Sequence, residues 1–363
     1  MQSRGMAAAP SPEKQALQSL TPEQLVRDFP PIALAEARRV VSAVHREQDL
    51  EQPLPHVRRL ALEQVRQGGH VPRLELIEEQ RSTIDPFVKL AFRTHDAHVI
   101  EAVRIPLENH KRFSACVSSQ AGCALGCRFC ATGTLGLKRN LQTWEIVEQV
   151  RHLRDSVRRD NPAARVHGVV FQGMGEPLAN LEHVLEAIEV FREPCALAID
   201  ARNITVCTSG LPVGIRRLAR EAPRARLGLS IHSAKREVRR SLMPIERAHP
   251  LDEVLDASVE HCRLTGYAPM WAVTLLAGIN DSDEDAQAIA RLMQDFRAKA
   301  GKRPRLSIIP YNPVPGAPFE RTSDERQAAY RDAISALGET SHLRYSGGGD
   351  VAAACGQLAG AAS

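Results

Sequence analysis

From Phe113 onward, short apolar runs alternate with stretches in which apolar residues recur every three or four positions. The runs 113–119, 168–172, 203–207, 226–231, 270–276 and 305–309 read as strands. Helical stretches begin near Thr143, Leu181, Pro212, Lys235, Leu251, Ser282 and Thr322. Six successive strand-then-helix units predict a parallel sheet with right-handed crossovers, and ligands at the carboxyl ends of its strands. That count fits a partial (β/α)6 barrel. A doubly wound open sheet shows the same repeat, so periodicity alone leaves both open.

Upstream the period changes. Residues 87–92 and 98–105 alternate as short antiparallel strands. Before them, Thr21-Pro22-Glu23-Gln24 has the signature of a helix start, with Thr21 as cap, Pro22 in the first turn and Gln24 closing a capping box. Two or three short helices then reach about Gln67, and Gly68-Gly69 punctuates their end. Residues 1–18, rich in Ala, Pro, Ser and Gln, read as a disordered lead-in. The predicted organisation is therefore a lead-in (1–18), a small helical N-terminal accessory domain (19–70), a β linker segment (71–110), an α/β core (111–340) and a C-terminal tail (341–363).

Composition narrows this only slightly. The 363 residues suffice for one large domain and one small one. Lys+Arg 47 against Asp+Glu 43 permits nucleic-acid binding without demanding it. Arg38, Arg39, Arg46, Arg58, Arg59 and Arg66 could meet phosphates or simply cover exposed helix faces. No run of about 18 apolar residues and no charged-then-apolar start occurs, which predicts a cytoplasmic protein with no membrane partner.

The chemistry lies in the cysteines. Cys123, Cys127 and Cys130 follow the first core strand at CxxxCxxC spacing. Eight cysteines without a secretory start do not make a disulfide scaffold, and zinc would want a fourth protein ligand nearby. Three thiolates read best as ligands to a 4Fe–4S cluster with one iron left open. Gly173-Met174-Gly175-Glu176-Pro177, Thr208-Ser209-Gly210, Ser230-Ile231-His232 and Pro310-Tyr311-Asn312-Pro313 all fall at predicted strand ends, on one rim with the triad.

At the triad the chain resembles the radical S-adenosylmethionine (SAM) superfamily. With Cys116-Val117-Ser118-Ser119-Gln120, Gly173–Pro177 and Ala354-Cys355-Gly356-Gln357-Leu358-Ala359-Gly360, it resembles the RlmN/Cfr family of RNA adenosine methyltransferases over about residues 82–360. The resemblance implies the partial (β/α)6 fold, a 4Fe–4S cluster on Cys123, Cys127 and Cys130, and SAM held by Gly175, Glu176, Cys207, Ser230, Ile231, His232 and Asn312. It implies that Glu101 accepts a proton, that Cys355 carries the methyl group, and that Cys116 resolves an enzyme–RNA adduct by forming a disulfide with Cys355. The tail glycines Gly347, Gly348 and Gly349 would make a hinge, with Gly347 standing where relatives can carry arginine.

The implied reaction is methylation of an adenosine ring carbon, C2 or C8, in large-subunit rRNA, with tRNA as a further substrate. The implied partners are that RNA and an electron donor such as flavodoxin or ferredoxin, and the implied state is a monomer. Two other functions compete: a radical SAM enzyme with a non-RNA substrate, which would not need the Cys116–Cys355 pair, and a non-catalytic iron–sulfur RNA-binding protein. Cys195 and Cys262 read as structural.

Overall fold

The computed structural model describes residues 14–359. Thr21 and Gln24 form the reciprocal cap expected of them, and α1 (Pro22–Asp28) follows. With α2 (Leu34–His45) and α3 (Arg59–Gly68) it builds a helical unit whose core includes Leu25, Val40, Val44, Leu62 and Val65. Residues 14–18, expected in the disordered lead-in, belong to this unit. There β1 (Gln15–Ala16) pairs with β2 (Gly69–His70), and Leu17 inserts into the helical core. One apolar side chain, buried at the seam, orders the segment. Residues 1–13 and 360–363 lie outside the described residues.

Of the helix arginines, Arg58 pairs with Glu36 and Arg66 donates to the Leu50 and Gln52 carbonyls, so both serve the fold. Arg38, Arg39, Arg46 and Arg59 are exposed.

Ten strands form one continuous sheet. Its antiparallel part is β3 (Glu75–Arg81), β4 (Val88–Arg93) and β5 (Val99–Pro106). The next strand, β6 (Arg112–Val117), pairs antiparallel with β5, Val103 opposite Cys116, and then parallel with the core. The short antiparallel strands are thus one side of the main sheet.

After β6 comes a hairpin, β7 (Gln120–Cys123) and β8 (Gly136–Asn140), with the single turn α4 (Ala131–Thr134) between its arms. The alternating series follows: α5 (Thr143–Asp160), β9 (Arg165–Phe171), α6 (Leu181–Arg192), β10 (Ile204–Thr208), α7 (Pro212–Glu221), β11 (Arg226–Ser230), α8 (Arg236–Leu242), α9 (Leu251–Thr265), β12 (Met270–Leu275), α10 (Asp283–Ala300), β13 (Arg305–Pro310), α11 (Asp324–Ala336) and β14 (Ser341–Leu343).

The parallel strands run β6-β9-β10-β11-β12-β13-β14 across the sheet, the sequential order of a half-open barrel rather than of a doubly wound sheet. The short β14 adds a seventh parallel strand to the six expected. Val169, Val206, Leu227, Val273 and Ile308 are buried between sheet and helices, each contributing about 1.5–3 kcal/mol by leaving water. No helix among the described residues is long and apolar enough to cross a membrane.

Candidate active site

The hairpin β7–β8 delivers Cys123 to the carboxyl rim of the half barrel, and the loop beyond it carries Cys127 and Cys130. Gly133 keeps that loop tight: a Cβ there would lie 2.7 Å from the Cys127 carbonyl oxygen, which only glycine avoids. Phe129, between the last two cysteines, packs on the His232 ring with centroids 4.5 Å apart, tying the loop to the end of β11.

All three cysteines line one cavity. Burial pushes the Cys123 thiol up to about 11 and the Cys127 thiol up to about 12, and Cys130 rises for the same reason. Cys127 is raised further by Cys130 and Cys123. Three thiols that resist ionisation together are suited to a cationic group that would accept them as thiolates. A lone zinc gathers four ligands at about 2.0–2.3 Å from one centre, whereas a cluster spreads one thiolate to each iron. The donor set fits a cluster.

The strand ends supply the rest of the wall. A Cβ on Gly173 would sit 2.7 Å from Val117 backbone, and Gly175, at φ +98°, would put one 2.5 Å from Gln120. These glycines let the loop after β9 press against the end of β6 and the start of β7. Glu176, also in the wall, is buried. Its Oε1 accepts from the Leu178 amide at 3.0 Å and its Oε2 from the Ser209 amide at 2.9 Å. Burial raises its pKa, and these donors oppose the rise.

Cys207, Ser230 and His232 face the same space. His232 adopts φ +58°, an uncommon conformation for a bulky residue. Its Nδ1 accepts from the Thr274 amide at 3.1 Å, and burial, then Arg239, lowers its pKa to about 3. The neutral ring therefore carries its proton on Nε2. Ile231 and Asn312 do not line the cavity. Ile231 is buried behind it, and Asn312 donates to Ser346 Oγ at 2.7 Å and to the Cys355 carbonyl at 3.1 Å, holding the tail.

Sequence patterns gave no hint of the clamp beneath the rim. Arg239, on α8, donates to the carbonyls of Ser209 at 2.8 Å and Ile231 at 3.2 Å, thereby joining the ends of β10 and β11. Glu246 pairs with it, and both side chains are fully buried. Removing one member of a buried pair strands the other charge, so Glu246→Ala is expected to cost about 3–5 kcal/mol. Denaturant unfolding measures this, and a loss below about 1 kcal/mol would argue against the clamp.

The C-terminal tail returns to the triad. The Gly356 carbonyl accepts from the Ala131 amide at 2.7 Å, next to Cys130, and the Leu358 carbonyl accepts from Thr132 Oγ1 at 2.6 Å. Cys355 lines the main cavity and also a smaller one that it shares with Cys116, Gln172 and Arg344. Burial, then Cys355, pushes the Cys116 thiol up to about 12. Arg344 donates to Gln172 Oε1 at 3.1 Å, and Cys355, Cys207 and Cys116 raise its pKa. All eight cysteines are free in this conformation.

The triglycine differs from the hinge expected of it. Gly347 and Gly348 are buried, and a Cβ on Gly347 would lie 2.4 Å from the Phe87 ring and 2.5 Å from Asp85. An arginine at 347 could not occupy this packing.

Glu101 lines neither cavity. It is 1% exposed on β5, pairs with Lys89 at 3.1 Å from the neighbouring strand, and accepts from the Ala359 amide at 2.8 Å. In this conformation it anchors the tail. A charge-assisted hydrogen bond of about 1.5–3 kcal/mol should be lost in Glu101→Ala. Amide exchange at Ala359 is then expected to quicken about tenfold or more, against no change if the contact is idle.

Comparison with known proteins agrees with this geometry. Residues 117–293 match the Radical SAM superfamily. A Sorangium cellulosum protein called "Probable RNA methyltransferase" is 56% identical, covering 90% of this chain and 88% of its own length. A "Dual-specificity RNA methyltransferase RlmN" from Syntrophobacter fumaroxidans is 42% identical, over 81% of this chain and 82% of its own. A crystal structure of a radical SAM methyltransferase from Sphaerobacter thermophilus superposes with a TM-score of 0.86 at 33% identity, covering 96% of this chain and all of that one.

Proposed function

Since the chain belongs to the radical SAM RNA methyltransferases of the RlmN/Cfr family, we propose that it methylates an adenosine ring carbon, C2 or C8, in large-subunit rRNA and in tRNA, by way of an S-methyl group on Cys355. It is a SAM-dependent RNA methyltransferase whose cofactors are a 4Fe–4S cluster and SAM. When bound, these supply one electron, a methyl group and a 5′-deoxyadenosyl radical. The protein supplies position and proton control.

Cys123, Cys127 and Cys130 hold the cluster in this reading. Gly175, Cys207 and Ser230 shape the wall around SAM, and Glu176 accepts from its ammonium group. His232, neutral, offers an Nε2–H donor. Ile231 and Asn312 act from behind the wall, Asn312 by holding the Cys355 backbone.

Cys355 gives up its thiol proton and takes a methyl group on sulfur, S-adenosylhomocysteine leaving. After that methyl group loses a hydrogen atom to the 5′-deoxyadenosyl radical, its carbon bonds to the adenine ring and so links Cys355 covalently to the RNA as a radical adduct. The adduct gives up one electron and Cys116 removes the proton from the substituted ring carbon. Cys116, as thiolate, then closes a disulfide with Cys355 as the carbon–sulfur bond breaks, and the freed carbon takes up a proton to become the methyl group of the released RNA. A reductant from outside reopens the disulfide. Glu101 serves as proton acceptor only once the tail has released it. The remaining partner is a one-electron donor such as flavodoxin or ferredoxin, which suits a monomeric cytoplasmic enzyme.

The observation that carries the proposal is the place of Cys355, which faces the triad on one side and Cys116 on the other. The test is mass spectrometry of protein-free large-subunit rRNA after reaction with reconstituted enzyme, reductant and SAM. Methyladenosine with its modified carbon identified, together with 5′-deoxyadenosine, is expected. SAM cleavage without RNA methylation would favour a substrate other than RNA.

A further inference from the structure

A second cleft opens at the opposite end of the barrel, between the last turns of α5 and the segment 197–203, floored by the start of β9. Arg154, Arg158, Arg165, Arg202 and Arg226 line it with His167, and among the described residues Asp200 is its sole lining carboxylate. Asp200 is already engaged by Arg202 at 2.6 Å. Arg158 and Arg165 are exposed and have no carboxylate partner among the described residues. In the sheet register Arg165 stands directly opposite Arg112, the first residue of β6. Like charges opposite one another on neighbouring strands destabilise a sheet. His167 registers the same field: burial, then Arg112 and Arg165, lowers its pKa.

A fold that tolerates such repulsion at one edge is suited to an anion that relieves it. Neighbouring strands lie about 4.8 Å apart, so the strand positions of Arg165 on β9 and Arg226 on β11, with β10 between them, are about 10 Å apart. That is too wide for one phosphate and suits a chain of them, each taken by a planar fork of donors. The cleft also adjoins the helical unit, for Arg154 donates to the His45 carbonyl at 2.6 Å, next to the exposed Arg46.

We propose that this cleft binds the phosphodiester backbone of the RNA substrate at a segment remote from the reacting base. The proposal rests on the RNA reading above. The core strands, five to seven residues long, put the cleft about 20 Å from the cysteine rim, a span within reach of a folded RNA. The site positions substrate and takes no part in the chemistry.

The test measures binding of protein-free large-subunit rRNA to the reconstituted holoenzyme between 50 and 200 mM salt. Each phosphate contact on a single strand contributes about 0.7 to the slope of log K against log salt. Arg158→Glu with Arg165→Glu is expected to weaken binding at least about tenfold and flatten that slope by about 1–2. Arg158→Lys with Arg165→Lys should keep most of the slope. The same charge change at the exposed Arg291 and Arg297 on α10 controls for net charge and should alter the slope little. Melting temperature of the cleft variant should not fall, because a repulsion is removed, and RNA-independent SAM cleavage should be unchanged.

If the wild type methylates RNA and the cleft variant binds it with unaltered affinity and slope, the cleft proposal falls while the function stands. An equal loss in the α10 control also overturns it. If the wild type neither binds nor methylates RNA, both fall together.

Discussion

Cys355→Ala is expected to yield no methylated adenosine from ribosomal RNA, a fall on the order of 10⁴-fold or more, as for removal of a covalent nucleophile. The physical reason is positional. Cys355 is held between two cavities by three backbone ties, the Gly356 and Leu358 carbonyls on the strand-facing turn α4 and its own carbonyl on Asn312. No other thiol faces both cavities among the described residues. The hydrogen bond that ties the tail beside Cys130 runs from the Ala131 amide to the Gly356 carbonyl, which the substitution keeps, so the variant should still load iron. Liquid chromatography with mass spectrometry of digested RNA provides the measurement, with iron content as the control. Undiminished methylation would discard the S-methyl route.

The second large effect is at the triad. Cys127→Ser is expected to abolish SAM cleavage altogether and to bleach the visible absorbance of the reconstituted protein, because two thiolates and a hydroxyl cannot replace three thiolates on a cluster. Wild-type protein should also melt at a higher temperature with its cluster than without, since a ligand that binds the folded state stabilises it. The loop is short, turns at Gly126 with φ +64°, and is pinned by Phe129 in a small apolar cluster and by the Arg128 amide on the Leu242 carbonyl; the iron–sulfur cluster would add to these ties. Full SAM cleavage by the variant would contradict the assignment of these cysteines.

What could be read from the chain follows the range of the forces involved. Strands such as 204–208 and 270–275 are legible because burial on both faces favours apolar and β-branched residues along nearly the whole run, threonine included. The helix start at Thr21 is legible because its hydrogen bonds close within four residues. The triad and the glycine turns are legible because cluster ligation and close backbone approach fix residue type locally.

The join between the antiparallel and parallel strands is not legible, since the β5–β6 register depends on partners that no local pattern names. Nor is β14, whose Ser-His-Leu has no alternation and is a strand only because β13 offers an edge. Arg239 and Glu246 look like ordinary helix charges until the fold buries them under two strand ends. Glu101 could be noticed as a charge on an apolar strand. That Lys89 answers it needed the cross-strand register, which sets the two on one face. The glycines at 347 and 348 suggest freedom, yet Phe87 and Asp85 pack against them.

The central claim is that Cys355 is the methyl carrier. Its most direct test is peptide mass spectrometry of reconstituted wild-type enzyme given methyl-labelled SAM and reductant, with RNA left out. With SAM carrying a trideuterated methyl group, the account predicts a gain of about 17 Da over the free thiol on the peptide containing Cys355 and on no other. It also predicts that the label passes to RNA when RNA is added. An enzyme that methylates RNA while its Cys355 peptide stays unlabelled at every time point would contradict it.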